Sequence, residues 1–168
     1  MAWRPVRTLV RRQRVPRSLD ATFAFFARPE NLPRITPPWL DLRLVTPGPI
    51  RMARGLTLDY TVRVLGMRRR WRSEIVEYDP PHGFRDVQAL GPYRRCDHRH
   101  RFRGDHGDTL IEDVVVYEPP LGPLGALLDA VVIRRRLAAI FDYREQKLGE
   151  ILGLPTSAGR NRRGGSRR

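Results

Sequence analysis

The sequence predicts an α+β fold in which a seven-stranded antiparallel sheet wraps around one long C-terminal helix. Three observations carry that reading. From Pro123 to Leu152 apolar residues recur at three- and four-residue steps, through Leu137, Ile140, Phe141, Leu148, Ile151 and Leu152. Proline stands at the first turn and Gly153-Leu154-Pro155 stops the run, so the helix is a rod of roughly 40 Å, longer than a small domain is wide. Between Trp39 and Tyr117 the apolar period instead shortens to two, and turn clusters divide the stretch into short segments. Finally, 168 residues with 40% apolar content suffice for one domain with a core. Hairpins followed by a single long helix imply a curved sheet closed on that helix, which leaves a cavity between them.

The elements follow in order. Val6 to Val15 reads as a strand, but arginines occupy both phases and its inner face stays unassigned. Ser18 is a good N-cap for a helix from Leu19 to Ala27, with Leu19, Phe23, Phe26 and Ala27 on one face. Pro29 opens a second short helix, Glu30 to Ile35, which Pro37-Pro38 must stop. The two short helices form a V that closes one end of the sheet. From Trp39 a strand turns Leu40, Leu42 and Leu44 inward. Leu56 to Val64 then sets Leu58, Tyr60 and Val62 on one face, and a turn at Gly66-Met67 leads into Arg69 to Tyr78. Pairing Val62 with Trp71 puts Tyr60 opposite Ser73 and Leu58 opposite Ile75, so both strands agree on the inner face.

Asp79-Pro80-Pro81-His82-Gly83 is a turn cluster, Phe84 to Ala89 a short strand, and Leu90-Gly91-Pro92 leads to a strand from Tyr93 to Arg103. There Tyr93, Arg95, Asp97, Arg99 and Arg101 make a wet face, and Cys96, His98, His100 and Phe102 point inward. Gly104 to Gly107 closes a hairpin onto Thr109 to Tyr117, whose phase is open. One of its faces carries Ile111, Asp113, Val115 and Tyr117, the other Leu110, Glu112, Val114 and Val116.

The net charge is +14, and of 32 basic residues only Lys147 is a lysine. The segment Thr156 to Arg168 holds five arginines and no acid. Taking those five from +14 leaves +9, so the excess is spread over the chain. Residues 1–155 are expected to form the domain and 156–168 a disordered arginine-rich tail. The charge fits a solvated surface or affinity for phosphates and anionic lipid. One cysteine, Cys96, excludes an intramolecular disulfide and multi-cysteine zinc sites within the chain. No apolar run reaches the ~18 residues of a membrane span, and no signal-peptide core follows Met1, so a cytoplasmic location is expected.

The residues Phe23-Ala24-Phe25-Phe26, Glu30-Asn31-Leu32, Thr36-Pro37-Pro38-Trp39-Leu40, Trp71-Arg72-Ser73-Glu74-Ile75, Pro80-Pro81, Phe84-Arg85-Asp86, Gly91-Pro92-Tyr93, His98-Arg99-His100-Arg101-Phe102 and Phe141-Asp142-Tyr143-Arg144 form a set. As a set they resemble the START-like superfamily (the Bet v 1, polyketide cyclase and coenzyme Q-binding proteins). They are most similar to the ligand-binding SRPBCC-domain proteins of bacteria. The resemblance covers Leu9 to about Ile151. It implies a helix-grip fold holding a lipophilic small molecule between sheet and helix, and some relatives cyclise or dehydrate what they bind. Where the family pattern often has an aromatic residue followed by histidine, this chain has Cys96-Asp97.

Polar side chains on inward faces mark the candidate site. Phase alone turns Tyr60, Ser73, His98 and His100 inward, and the resemblance adds Asp86, Gln88 and Asp113. Burying such groups without partners costs about 1–3 kcal/mol each, so they must satisfy one another, waters or a ligand. If the last hairpin pairs Arg103 with Asp108, His98 lies opposite Asp113, which would fix its tautomer and raise its pKa. Four readings follow: a hydrogen-bonded brace, the polar end of a ligand pocket, general acid–base catalysis, or a metal site. The last needs a third ligand from Asp113 or Asp86, which nothing in the sequence enforces. No nucleophile elbow, Walker loop or dinucleotide fingerprint is present.

The expectation is therefore a binding module with Tyr60, Trp71, Asp86, Gln88, His98, His100, Asp113 and Tyr117 as its ligand-binding set. No catalytic residue, metal ligand or cofactor is assigned. The alternative is a cyclase or dehydratase using a cavity histidine as acid or base. The expected partner is a lipophilic small molecule, with transient contact to anionic membrane where Arg134-Arg135-Arg136 follows an apolar run. Nucleic-acid binding rests on charge alone, without an exposed aromatic platform, and no protein partner is indicated.

Overall fold

The computed structural model describes residues 6–120, 125 and 129–153. The start of the C-terminal helix at Pro123 and the tail from Thr156 are expectations that lie outside the described residues. The strands are β1 (Arg7–Val15), β2 (Arg43–Leu44), β3 (Thr57–Val64), β4 (Met67–Asp79), β5 (Gly83–Leu90), β6 (Arg95–Asp105) and β7 (Asp108–Glu118). They form one antiparallel sheet in the order β1-β7-β6-β5-β4-β3-β2. Helix α1 spans Leu19–Phe26 and α2 Arg134–Leu152. Register shifts in β4, between Arg72 and Ser73 and between Ile75 and Glu77, are irregularities of the kind that bend a strand and raise its twist.

Local chemistry explains most of the elements. Ser18 caps α1 by accepting a hydrogen bond from the Ala21 N–H, 3.4 Å away. The second helical piece, Pro29–Ile35, is 3₁₀ rather than α, because Pro33 inside it has no N–H for an i→i−4 bond. The strand expected from Trp39 shrinks to Arg43–Leu44. Pro38–Leu40 is another 3₁₀ turn, and Asp41 at φ 43° breaks the extended run while its carboxylate gathers Arg43, Arg63 and Arg68. Helix α2 ends on Gly153 in the left-handed region, as a C-cap glycine should. Just before α2, Asp129–Ile133 is π-helical.

Two registers differ from expectation by two residues. Tyr60 faces Trp71 and Leu58 faces Ser73, and His100, not His98, faces Asp113. The cause is the turn. Leu65-Gly66 and His106-Gly107 both have positive φ at both positions, so each hairpin closes on a two-residue loop. A shift of two leaves every side chain on its expected face. The open phase of β7 resolves with Ile111, Asp113, Val115 and Tyr117 buried, and β1 turns Leu9, Gln13 and Val15 inward.

The core has two apolar clusters. One gathers Phe23, Phe26, Phe84, Phe102, Ile75 and Leu148; the other joins Val115 and Tyr117 to Phe141 of α2. The outer face of the sheet carries the arginines, laced by pairs such as Arg85–Asp97 at 2.9 Å and Arg72–Asp59 at 2.8 Å. Among the described residues no helix is long and apolar enough to cross a membrane.

Candidate functional site

A cavity of about 300 Å³ lies between the inner face of the sheet and α2. That is the lower end of the range for small-molecule sites, roughly 300–1,000 Å³. Leu58, Ile75, Val115 and Phe141 wall it, and Phe25, Phe26 and Ile35 from the short helical pieces close one end. Trp39, Leu65 and Arg136 line it while remaining exposed, so they mark its mouth; the Arg136 guanidinium stands 5.5 Å from the centre of the Trp39 ring.

The polar end is built by β5, β6 and β7. Their register sets Asp86 opposite His98 and His100 opposite Asp113, so four ionisable groups share one patch of the inward face. His98 Nε2 lies 3.0 Å from Asp113 Oδ1. His100 Nδ1 is 2.6 Å from the same oxygen, in close contact but off the line of a hydrogen bond. The two rings are 3.9 Å apart, His100 resting on Phe84 at 4.3 Å and His98 on Phe141 at 5.7 Å. The pair thus sits on the seam between the two apolar clusters. Because Asp113 takes one nitrogen of each ring, His98 Nδ1 and His100 Nε2 remain. The latter is 3.9 Å from Asp86 Oδ1, too far for a hydrogen bond.

Beside this group Ser73 joins two aromatics. Its hydroxyl accepts from Trp71 Nε1 at 3.2 Å and shares a 3.0 Å bond with the Tyr60 hydroxyl, while the two rings stack. Tyr93, expected on the wet face, lies instead in the bend before β6. Its ring sits between Trp71 at 5.7 Å and Tyr117 at 5.4 Å, and it lines the cavity. The bend is held by Gln88, whose Nε2 donates to the Tyr93 carbonyl at 2.7 Å while Oε1 accepts from the Tyr93 N–H at 3.3 Å.

Burial and charge set the protonation states. Burial pushes the Asp86 carboxyl above its ordinary value, and the neighbouring His98, Ser73 and Arg144 pull it down without winning. Burial, followed by the charge on His100, pushes His98 below its usual value, so its imidazole is neutral at neutral pH. For Asp113 burial acts upward, but the close approach of His100 and the hydrogen bond from His98 outweigh it and hold the carboxyl well below the usual range. Burial raises Tyr60 and pushes the Cys96 thiol up to about 12, which leaves Cys96 a small core residue rather than a nucleophile. A neutral imidazole beside a carboxyl of raised pKa can accept a proton, donate one, or hold a ligand hydroxyl or carbonyl.

Of the expected set, Tyr60, Trp71, Asp86, His98, His100 and Tyr117 line the cavity. Gln88 and Asp113 do not; Gln88 shapes the bend and Asp113 orients the histidines from behind. Ligating atoms of Asp86, His98 and His100 lie within 4.8 Å of one another, so Asp86, not Asp113, is the carboxylate that completes the trio. That spread exceeds the about 3.4 Å between ligands of a tetrahedral zinc with ~2.1 Å bonds. Sequence reasoning missed Tyr93, Arg144 and Asp129. Arg144 does carry a signal: it falls three residues after Phe141 and four before Leu148, on the apolar stripe of α2.

Comparison with known proteins agrees with this architecture. Residues 7–152 match the family model described as polyketide cyclase/dehydrase and lipid transport. No curated protein matches the sequence. Protein Ms6760 from Mycobacterium smegmatis is similar in structure, with a TM-score of 0.63, 17% identity, and coverage of 88% of this chain and 98% of that one. Ginseng major latex-like protein 151 from Panax ginseng gives 0.65, 15% identity and coverage of 89% and 99%. Norcoclaurine synthase from Thalictrum flavum, solved with dopamine and hydroxybenzaldehyde, gives 0.61, 15% identity and coverage of 91% and 90%. At these identities the structural likeness speaks for the fold, and the family match spans nearly all of the described chain. The chain belongs to the polyketide cyclase/dehydrase and lipid transport family, within the START-like, Bet v 1-like superfamily.

Proposed function

We propose that this protein binds a lipophilic small molecule in the cavity between sheet and α2, with the polar group of that molecule seated on Asp86, His98 and His100. One observation carries the reading. An apolar-walled cavity ends in a histidine pair that Asp113 orients but does not saturate, so each ring keeps a nitrogen for another partner. Tyr60, Trp71, Tyr93 and Tyr117 supply aromatic walls around that end.

A second reading is an enzyme of the cyclase or dehydratase kind, with His98 as base and Asp86 as acid. It is favoured by their environments, which push the two groups towards neutrality. The likeness to norcoclaurine synthase agrees with it at the level of the fold.

Native mass spectrometry of protein purified from its own host tests binding. The expected result is a population carrying one bound organic molecule that collisional activation releases. Protein that is uniformly ligand-free, or that carries a metal ion alone, would count against the proposal.

A further inference from the structure

Arg144 is the buried cation that the fold does not neutralise. It lies on α2, is 8% exposed, and lines the cavity. Its guanidinium stands 4.8 Å from the centre of the Phe141 ring, and its Nε has no hydrogen-bond partner among the described residues. All 18 acidic residues of the chain fall within the described residues, and none comes within ion-pairing distance of Arg144. A guanidinium cannot discharge itself as a buried lysine can, so this charge stays in the cavity wall. Its field reaches Asp86 and Tyr60, which places it at the polar end, yet Asp86 lies too far away to pair with it. Other arginines near the core differ. Arg7, for instance, meets Asp129 at 3.1 Å.

The bland account is that Arg144 fills space and stacks on Phe141. A cation–π contact is worth little beside the cost of burying an uncompensated charge, so that account leaves the residue destabilising. A ligand that brings the missing anion removes the discrepancy. We propose that Arg144 is the anion-binding group of the cavity and that the molecule taken there is a lipophilic monocarboxylic acid. Its carboxylate pairs with the guanidinium through two parallel hydrogen bonds, and its apolar body runs towards the mouth at Trp39 and Leu65. Asp86, also at this end, is the group that would oppose an incoming anion; in its protonated form it donates a hydrogen bond to the carboxylate instead. This inference rests on the binding reading above and narrows it to one ligand class.

The test is calorimetric titration at pH 7 with two probes of equal chain length, decanoate and 1-decanol, on the wild-type chain, Arg144→Met and Arg144→Lys. The expected result is that the wild-type chain binds decanoate at least tenfold more tightly than 1-decanol. Arg144→Met should erase that preference while holding 1-decanol affinity within threefold, and Arg144→Lys should keep part of it. Ligand-free Arg144→Met should also melt at a higher temperature than wild type, where loss of a bracing contact would lower it. Equal binding of both probes by the wild-type chain overturns the acid selectivity and leaves the cavity reading standing. Failure of both probes to bind at millimolar concentration overturns both. Should a variant not fold, the wild-type comparison decides alone.

Discussion

Asp129 and Asp113 are both buried carboxylates with polar partners, and they serve different ends. Asp129 is wholly buried at the start of the π-helical segment. It accepts from the Tyr117 hydroxyl at 2.8 Å and from Arg7 Nε at 3.1 Å, with Arg134 at 3.8 Å. Every partner it needs comes from the chain, and in return it ties β1 and β7 to the helical segment. Asp113 is spent on two histidines, and the network does not close there. His98 and His100 each keep a nitrogen, Asp86 stands beyond bonding distance of His100, and Arg144 has no counter-ion among the described residues. A saturated polar cluster braces a fold. An unsaturated one facing a cavity implies that something else completes it.

The comparison predicts opposite responses to mutation. The largest effect should come from the saturated cluster. Asp129→Ala strands Arg7 and the Tyr117 hydroxyl, and should cost about 3–5 kcal/mol in urea unfolding, as breaking buried charge pairs does. A loss under about 1 kcal/mol would show that Asp129 is not the brace.

A smaller effect belongs to the open cluster. The folded-state pKa of His98 lies below its unfolded value of about 6.5, so the unfolded chain takes up the proton more readily. Stability should therefore be full above pH 6.5 and fall by about 1 kcal/mol or less as pH drops to 5.5. The groups facing His98 are His100, Asp86 and Asp113, and only the first two share its exposure to the cavity. His98→Phe should flatten the slope in urea titrations at the two pH values. An unchanged slope would assign it to another group.

Much of the sheet was legible because period-two alternation states which face is wet. The tracts Arg95–Phe102 and Leu58–Val62 place His98, His100 and Tyr60 inward without any structure. Alternation cannot see a register slip of two, since every side chain keeps its face. Only the turn chemistry could have distinguished the pairings. At Leu65-Gly66 that signal is weak, because leucine rarely adopts positive φ; at His106-Gly107, between two aspartates, it was readable. Arg144 and Asp129 were illegible for a different reason. A charged residue on a helix is ordinarily solvated, and only the position of Arg144 between Phe141 and Leu148 hints otherwise. Tyr93 was assigned to a strand that starts two residues later, because the hold of Gln88 on the bend is a long side-chain reach that no periodicity encodes.

The open cluster, not the saturated one, should meet the ligand. Long-range ¹H–¹⁵N spectra of the histidine rings, recorded while decanoate is added, test it without any mutation. The chain has four histidines, and His82 and His106 are exposed on turns away from the cavity, so they serve as internal controls. The His98 and His100 ring nitrogens should shift with saturation while those of His82 and His106 hold still. Decanoate that binds and leaves the His98 and His100 signals unmoved would contradict it.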